Sequence, residues 1–154
     1  MSIRTIFVNL PVADLEKSVA FFQGLGFPFD PQFTNESATR MVVNENASVM
    51  LLTRERFADF THKRIVDAGE AIEVLIALAA DSRDAVDHLA DSAITAGGTE
   101  HREPEDHGFM YQRSFADLDG HVWEVLWMDM SQVPDSPTSY GTPADDPAGV
   151  QSRA

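Results

Sequence analysis

Apolar and polar residues follow one another along this chain in two rounds of the same order. The first round opens with an apolar run at residues 3–12 that predicts a buried strand. Asp14 offers an N-cap, and Leu15, Val19 and Phe22 recur at i, i+4 and i+7, which gives a helix with one apolar face. Gly24 and Gly26 close that helix. Strand-like runs follow at 29–34, 39–43 and 48–53, with Asn44-Glu45-Asn46 as the turn between the last two. The second round repeats the scheme: a strand at 73–79, Ser82 as N-cap, an apolar helix face from Val86, Leu89 and Ala93, and Gly97-Gly98 as the stop. Strand-like runs then recur at 99–103, 110–115 and 122–127. The two caps lie 68 residues apart, and the turns at Asn46 and Gly120 lie 74 apart. Two landmarks at nearly one offset predict an internal βαβββ repeat, with modules at about 3–53 and 71–129 in one domain spanning 1–130.

Between the modules, residues 54–69 form a crossover too long for a hairpin and suited to a helical turn or two. Phe57, Phe60, Ile65 and Val66 make it partly apolar, and Arg54, Arg56, Lys63 and Arg64 make it basic. Two readings stand: a lid over a pocket, or a connection that packs its aromatics on the core. After Asp129 the pattern stops. Residues 131–154 hold Pro134, Pro137, Pro143 and Pro147 with only Tyr140 and Val150 as sizeable apolar anchors, which predicts a disordered or surface-hugging acidic tail.

Composition narrows the function classes. The chain has 154 residues, enough for one domain with a core, and 44% of them are hydrophobic. A net charge of −14 repels nucleic acid and anionic lipid, and no basic patch offsets it. No stretch approaches a membrane span, and residues 1–12, with one Arg and an apolar run broken by Asn9 and Pro11, do not resemble a signal peptide. The absence of cysteine excludes disulfides and zinc–thiolate sites, and it fits the reducing cytoplasm, the expected location. The expected partner is a small molecule, with no nucleic acid and no membrane.

The chemistry concentrates at residues 114–126. Asp117, Asp119 and Gly120 supply a tight turn, and the next strand carries Glu124 among Val122, Trp123, Val125 and Leu126. An ionised carboxylate in an apolar strand is costly unless a metal or a donor meets it, or unless it reaches solvent. Tyr111 and Arg113 alternate on one face of the preceding strand, and Arg40 begins an earlier one. Facing a ligand, they offer a phenol and two guanidinium groups for an anion; facing solvent, the arginines pair with surface acids. Trp123 and Trp127 fall opposite Glu124 in parity and suit the core. His107, beside Asp106, and His121 are further candidates, whereas His62, His88 and His101 read as surface residues. No Gly-rich phosphate loop and no nucleophile motif is present.

The stretch Val8-Asn9-Leu10-Pro11-Val12-Ala13-Asp14-Leu15-Glu16-Lys17-Ser18, with Phe21-Phe22 and Leu25-Gly26-Phe27, resembles the opening of the glyoxalase / bleomycin-resistance / extradiol dioxygenase superfamily, the vicinal oxygen chelate fold. Asp117-Leu118-Asp119-Gly120 with Trp123-Glu124 resembles its ending. The resemblance covers about residues 3–129. It implies an α+β fold in which two βαβββ modules form a curved, half-open barrel with helices outside, a ligand on the concave sheet face, and a homodimer. In metal-bearing relatives four strand positions surround one divalent ion. Carried over, they fall on Phe7, on Met50 or a neighbour, on Glu73 (or Val74 if the register slips), and on Glu124. Glu73 and Glu124 are then the metal ligands, with Glu124 catalytic, while Phe7 and Met50 cannot bind a hard cation. Asn9 shares the face of Phe7 and could lend an amide oxygen. Two functions follow from the resemblance. One is a lyase, isomerase or dioxygenase using nickel, zinc, manganese or iron as a Lewis acid. The other is a non-catalytic drug-binding protein, without a metal, whose ligand meets Phe7, Asn9, Met50, Tyr111 and Arg113.

Overall fold

The computed structural model describes residues 2–133, so the proline-rich stretch from 134 onward lies outside the described residues. Among the described residues, eight strands and three α-helices build two modules. The first contains β1 (Ile6–Val12), α1 (Leu15–Gly24), β2 (Phe29–Asp30), β3 (Ala38–Asn44) and β4 (Ala47–Thr53); a short α2 (Arg54–Ala58) opens the crossover. The second contains β5 (Leu75–Ala79), α3 (Arg83–Thr95), β6 (Thr99–Asp106), β7 (Met110–Ala116) and β8 (Val122–Met128). The sheets run β1-β4-β3-β2 and β5-β8-β7-β6. In each, the first strand pairs parallel with the last of its module, and the other pairs are antiparallel. The architecture is α+β, with two βαβββ modules, helices on one face of each sheet and no closed barrel, in agreement with the repeat read from the pattern.

Local chemistry explains the boundaries. The Asp14 side chain accepts from Lys17 N, and the Ser82 hydroxyl from Ala85 N, so each helix starts at the predicted cap. The second strand is shorter than expected: Pro31 cannot donate to a ladder, and a single 3-10 turn at Pro31–Phe33 replaces the rest of the predicted run. The crossover begins with one helical turn, as expected of its length.

One core serves both modules. Leu10, Val12, Met41, Val49 and Leu51 from the first sheet join Phe115, Trp123 and Val125 from the second, with Phe21, Phe22, Val86 and Ala93 from the helices between them. The α1 aromatics carry the contact across: Phe22 lies 5.1 Å from Trp123, and Phe21 lies 6.4 Å from Phe115. Trp123 and Trp127 face this side, as their parity predicts.

The Asp117-Leu118-Asp119-Gly120 turn is the joint between the modules. Buried Asp117 accepts from Trp123 Nε1 and from the backbone N–H groups of Asp119 and His121, all at 3.0 Å. Burial pushes its carboxyl above the ordinary value, against the opposing influence of His121 and these donors. Asp119 accepts from Ala13 N at 2.8 Å and from the Ser18 hydroxyl at 3.3 Å, and His121 Nε2 meets the Pro11 carbonyl at 2.8 Å. Gly120, at φ +93°, packs on the crossover so closely that a Cβ would lie 2.6 Å from Gly69 N. No helix among the described residues is long and apolar enough to cross a membrane.

Candidate functional site

Val8, Leu10 and Val12 point to the helix side, so Phe7, Asn9 and Pro11 occupy the concave side of β1. The same parity puts Ser48, Met50 and Leu52 there from β4, Arg40 and Val42 from β3, Glu124 and Leu126 from β8, and Gln112 and Ser114 from β7. Pairing then defines rows across each sheet. In module one, Asn9 lies opposite Met50 and Met50 opposite Arg40; Phe7 lies opposite Ser48. In module two, Ala77 lies opposite Glu124 and Glu124 opposite Ser114; Leu75 lies opposite Val122.

Glu124 is half-buried, and Gln112 Nε2 donates to its Oε1 at 3.1 Å. A donor thus meets the carboxylate that the apolar strand made conspicuous. Gln112 was not among the expected site residues, although its parity with Ser114 places it on the Glu124 face once the turn register is known.

Tyr111 and Arg113 are placed otherwise than a ligand-facing pair would be. Both lie on the helix side. The Tyr111 hydroxyl donates to Asp87 at 2.7 Å, and Arg113 Nη1 reaches Asp87 at 3.1 Å and Asp91 at 2.8 Å. Burial, seconded by Asp87, raises the Tyr111 phenol. Burial disfavours the Arg113 cation, but Asp91 and Asp87 outweigh it and hold its pKa above the ordinary value. These two residues fasten α3 to β7. Their strand has no clean apolar alternation, so its facing had to come from the β7–β8 register.

Glu73 keeps the expected parity, because Ile76 and Leu78 face the core, but not the expected row. It sits at a bend before β5, four residues upstream of Ala77, the residue opposite Glu124. That is about 13 Å along an extended chain at ~3.3 Å per residue. The position matching Phe7 is Leu75. Glu73 instead lines a cavity of about 300 Å³ between the end of β1, the start of β8 and the crossover. Its walls include Asn9 and Pro11, His121 and Val122, Phe57, Lys63, Arg64, Ile65, Val66, Ile72 and Val74. The crossover therefore covers a cavity, and Phe60 is exposed rather than in the core. His121 belongs to the joint as well as to the cavity wall; His107 lies 3.6 Å from Glu105 at the surface, and His62, His88 and His101 are exposed.

A family model, Glyoxalase/Bleomycin resistance protein/Dioxygenase superfamily, matches residues 5–125. The chain belongs to this superfamily. Solved structures agree on the fold. A hypothetical protein, SA1046, from S. aureus is 29% identical with a TM-score of 0.71, over 82% of this chain and 95% of that one. A glyoxalase/bleomycin resistance protein/dioxygenase family enzyme from Burkholderia phytofirmans PsJN is 22% identical with a TM-score of 0.66, over 79% and 96%. The fosfomycin resistance protein FosX from Mesorhizobium loti is 17% identical with a TM-score of 0.63, over 85% and 97%. Comparison with curated proteins finds no match.

Membership of the superfamily raises the question of a divalent ion, and the donor set answers it. The repeat superposes Phe7 on Leu75 and Met50 on Glu124. Three of those four side chains offer a hard cation nothing, and catalytic sites generally need about three protein ligands. Among the described residues no three His, Cys, Asp or Glu side chains gather where they could hold an ion. The residues present do not fit a resident metal, and the residue paired with Glu124 is Ala77 rather than Glu73.

Proposed function

We propose that this superfamily member binds a small, largely apolar molecule on its concave face, without a resident metal and without catalysis. The observation that carries the reading is the cavity beneath the crossover. It is concave, with an apolar wall of Phe57, Ile65, Val66, Ile72, Val74 and Val122 and with Asn9, Lys63, Arg64, Glu73 and His121 among its polar groups, the usual make-up of a small-molecule site. Phe7, Met50 and Leu75, at the family's metal positions, extend an apolar surface from it. The test is calorimetric titration with a neutral aromatic probe, biphenyl-4-carboxamide. Saturable binding at one site per chain is expected, weakened at least about tenfold by Ala71→Trp, which fills the cavity. Absence of binding, or binding indifferent to Ala71→Trp, overturns the reading. One tightly held nickel, zinc, manganese or iron ion per chain after dialysis would favour the metal-dependent lyase or isomerase instead.

We also propose a homodimer. β1 and β5 are outer strands of their sheets, and Ile6 on β1 lies exposed beside an unpaired backbone edge that a second copy would cover. Sedimentation should give twice the chain mass at micromolar concentration; a monomer there would sink this assignment. A cytoplasmic location rests on the absence of cysteine alone.

A further inference from the structure

The concave face of module one carries a guanidinium whose surroundings differ from those of Arg83 and Arg113. Arg83 is saturated: it grips Asp106 at 2.7 and 2.9 Å and the Gly108 carbonyl at 2.8 Å. Arg113 faces Asp87, Asp91 and, at 3.7 Å, Glu100. Arg40 spends two of its five N–H donors: Nε on the Ser48 hydroxyl at 3.0 Å, and Nη1 on Asp30 at 3.2 Å. Asp30 is a divided partner, because its other oxygen accepts from Gln32 N at 2.9 Å. The Arg40 Nη2 group takes no acceptor among the described residues, yet it is not a buried orphan, since the only such atom there is Arg113 Nε.

Two aromatic rings hold the plane of this guanidinium. Its Cζ lies 5.4 Å from the Phe7 ring and 5.6 Å from the Phe33 ring. The strand order brings Phe7, on β1, and Phe33, just after β2, from opposite flanks of β3. The side chain of Arg40 is 21% exposed, whereas Phe7 and Phe33 are 49% and 56% exposed. Folding therefore shelters the cation and leaves the rings open. A fork fixed by two hydrogen bonds and two rings is preorganised for a planar oxyanion, which a guanidinium receives through two parallel N–H groups. The row Arg40–Met50–Asn9 leads across the sheet to the cavity wall, about 10 Å at the ~4.8 Å spacing of strands.

We infer that Arg40 is an anion-recognising residue on the concave face beside the cavity, and that the ligand is a carboxylate on an aromatic body. The inference rests on the proposed binding function and names its ligand class. The body lies along the row over Met50 toward Asn9 and the cavity, and the carboxylate meets Nη1 and Nη2 of Arg40.

The test compares biphenyl-4-carboxylate with biphenyl-4-carboxamide, which share a shape and differ in charge. Wild-type protein should bind the carboxylate about tenfold or more tighter than the amide. Arg40→Gln should bring that ratio to about one while retaining the amide, and Arg40→Lys should restore part of it. A merely structural Arg40 would weaken both probes alike and leave the ratio unchanged, which would overturn the inference. An equal affinity of wild type for the two probes would do the same. Should Arg40→Gln fail to fold, the Nε–H resonance of Arg40 in labelled wild type decides: a shift with carboxylate and not with amide supports the assignment, and no shift refutes it. The two proposals fail separately. If the amide binds and Ala71→Trp blocks it, but no carboxylate preference exists, only the role of Arg40 falls. If neither probe binds, the binding function falls too.

Discussion

The two modules share a topology and differ in what they put on it. Register pairs them residue by residue: Asn9, Met50 and Arg40 of module one correspond to Ala77, Glu124 and Ser114 of module two. The concave face thus has a cationic, aromatic half, with Arg40 and Phe7, and an anionic half in which Glu124 is flanked by Ala77 and Ser114. On the helix face the balance reverses. Thr39, opposite Leu51, corresponds to Arg113, opposite Val125. Module one closes against α1 with apolar groups, its Thr39 hydroxyl meeting Thr34 at 2.7 Å, while module two fastens α3 with Arg113 and its carboxylates. The repeat is a property of the helix-facing residues and the turns. The concave residues are free to diverge, and their divergence is what a ligand would read.

The severest way to break this pairing of modules is at their joint. Asp117→Ala should remove the acceptor of three donors, those of Trp123 Nε1, Asp119 N and His121 N. At about 1 kcal/mol or more for each donor left without a partner, the cost is about 3 kcal/mol. Urea unfolding followed by tryptophan fluorescence measures it. A loss under about 1 kcal/mol would mean that the turn keeps its shape without the Asp117 carboxylate, through the bonds of Asp119 and His121 to module one.

The helix-facing half of each module was legible in the sequence because burial imposes a period. Leu10 and Val12, Val86 and Ala93, and Trp123 and Val125 all took the places that periodicity gave them. Caps and turns were legible because they need particular side chains, as Asp14, Ser82 and Gly120 show. The concave face was less legible. Nothing in the string Met-Tyr-Gln-Arg-Ser at 110–114 says which alternate residues face the helix, since both sets are mixed; the pairing of Ala116 with Val122 across the turn decides it. Glu73 drew notice as a carboxylate, but the same seven-residue offset from a cap that picks Phe7 picks Leu75. The cavity was illegible because its crossover wall, 59–74, has no period at all and is placed by contacts such as Gly69 on Gly120.

A milder measurement sharpens the contrast between the modules through acid. In module two, α3 clamps the β6–β7 hairpin: Arg83 holds Asp106 and lies over the rings of Tyr111 and Trp127 at 5.1 and 5.2 Å. Module one ties β2 to β3 through Asp30 and Arg40 within the sheet, with no helix involved. Hydrogen bonds from Arg83 and from Gly108 N hold the Asp106 carboxyl down to about 2, against an ordinary 3.8. A carboxyl lowered by folding stabilises the fold above its unfolded pKa, and that contribution fades as the pH falls through the folded value. Between about pH 4 and pH 2 the hairpin should therefore loosen first, seen as faster amide exchange in β7 than in β3. Asp106→Asn carries no such proton. Its melting temperature should lie below that of wild type at neutral pH by an amount that stays constant down to about pH 5. That gap should shrink as the pH falls toward 2. Both groups are exposed, so the shift is small, and added salt should reduce it further. A gap that does not change with pH would assign the Asp106 contribution to the geometry of the turn rather than to its charge.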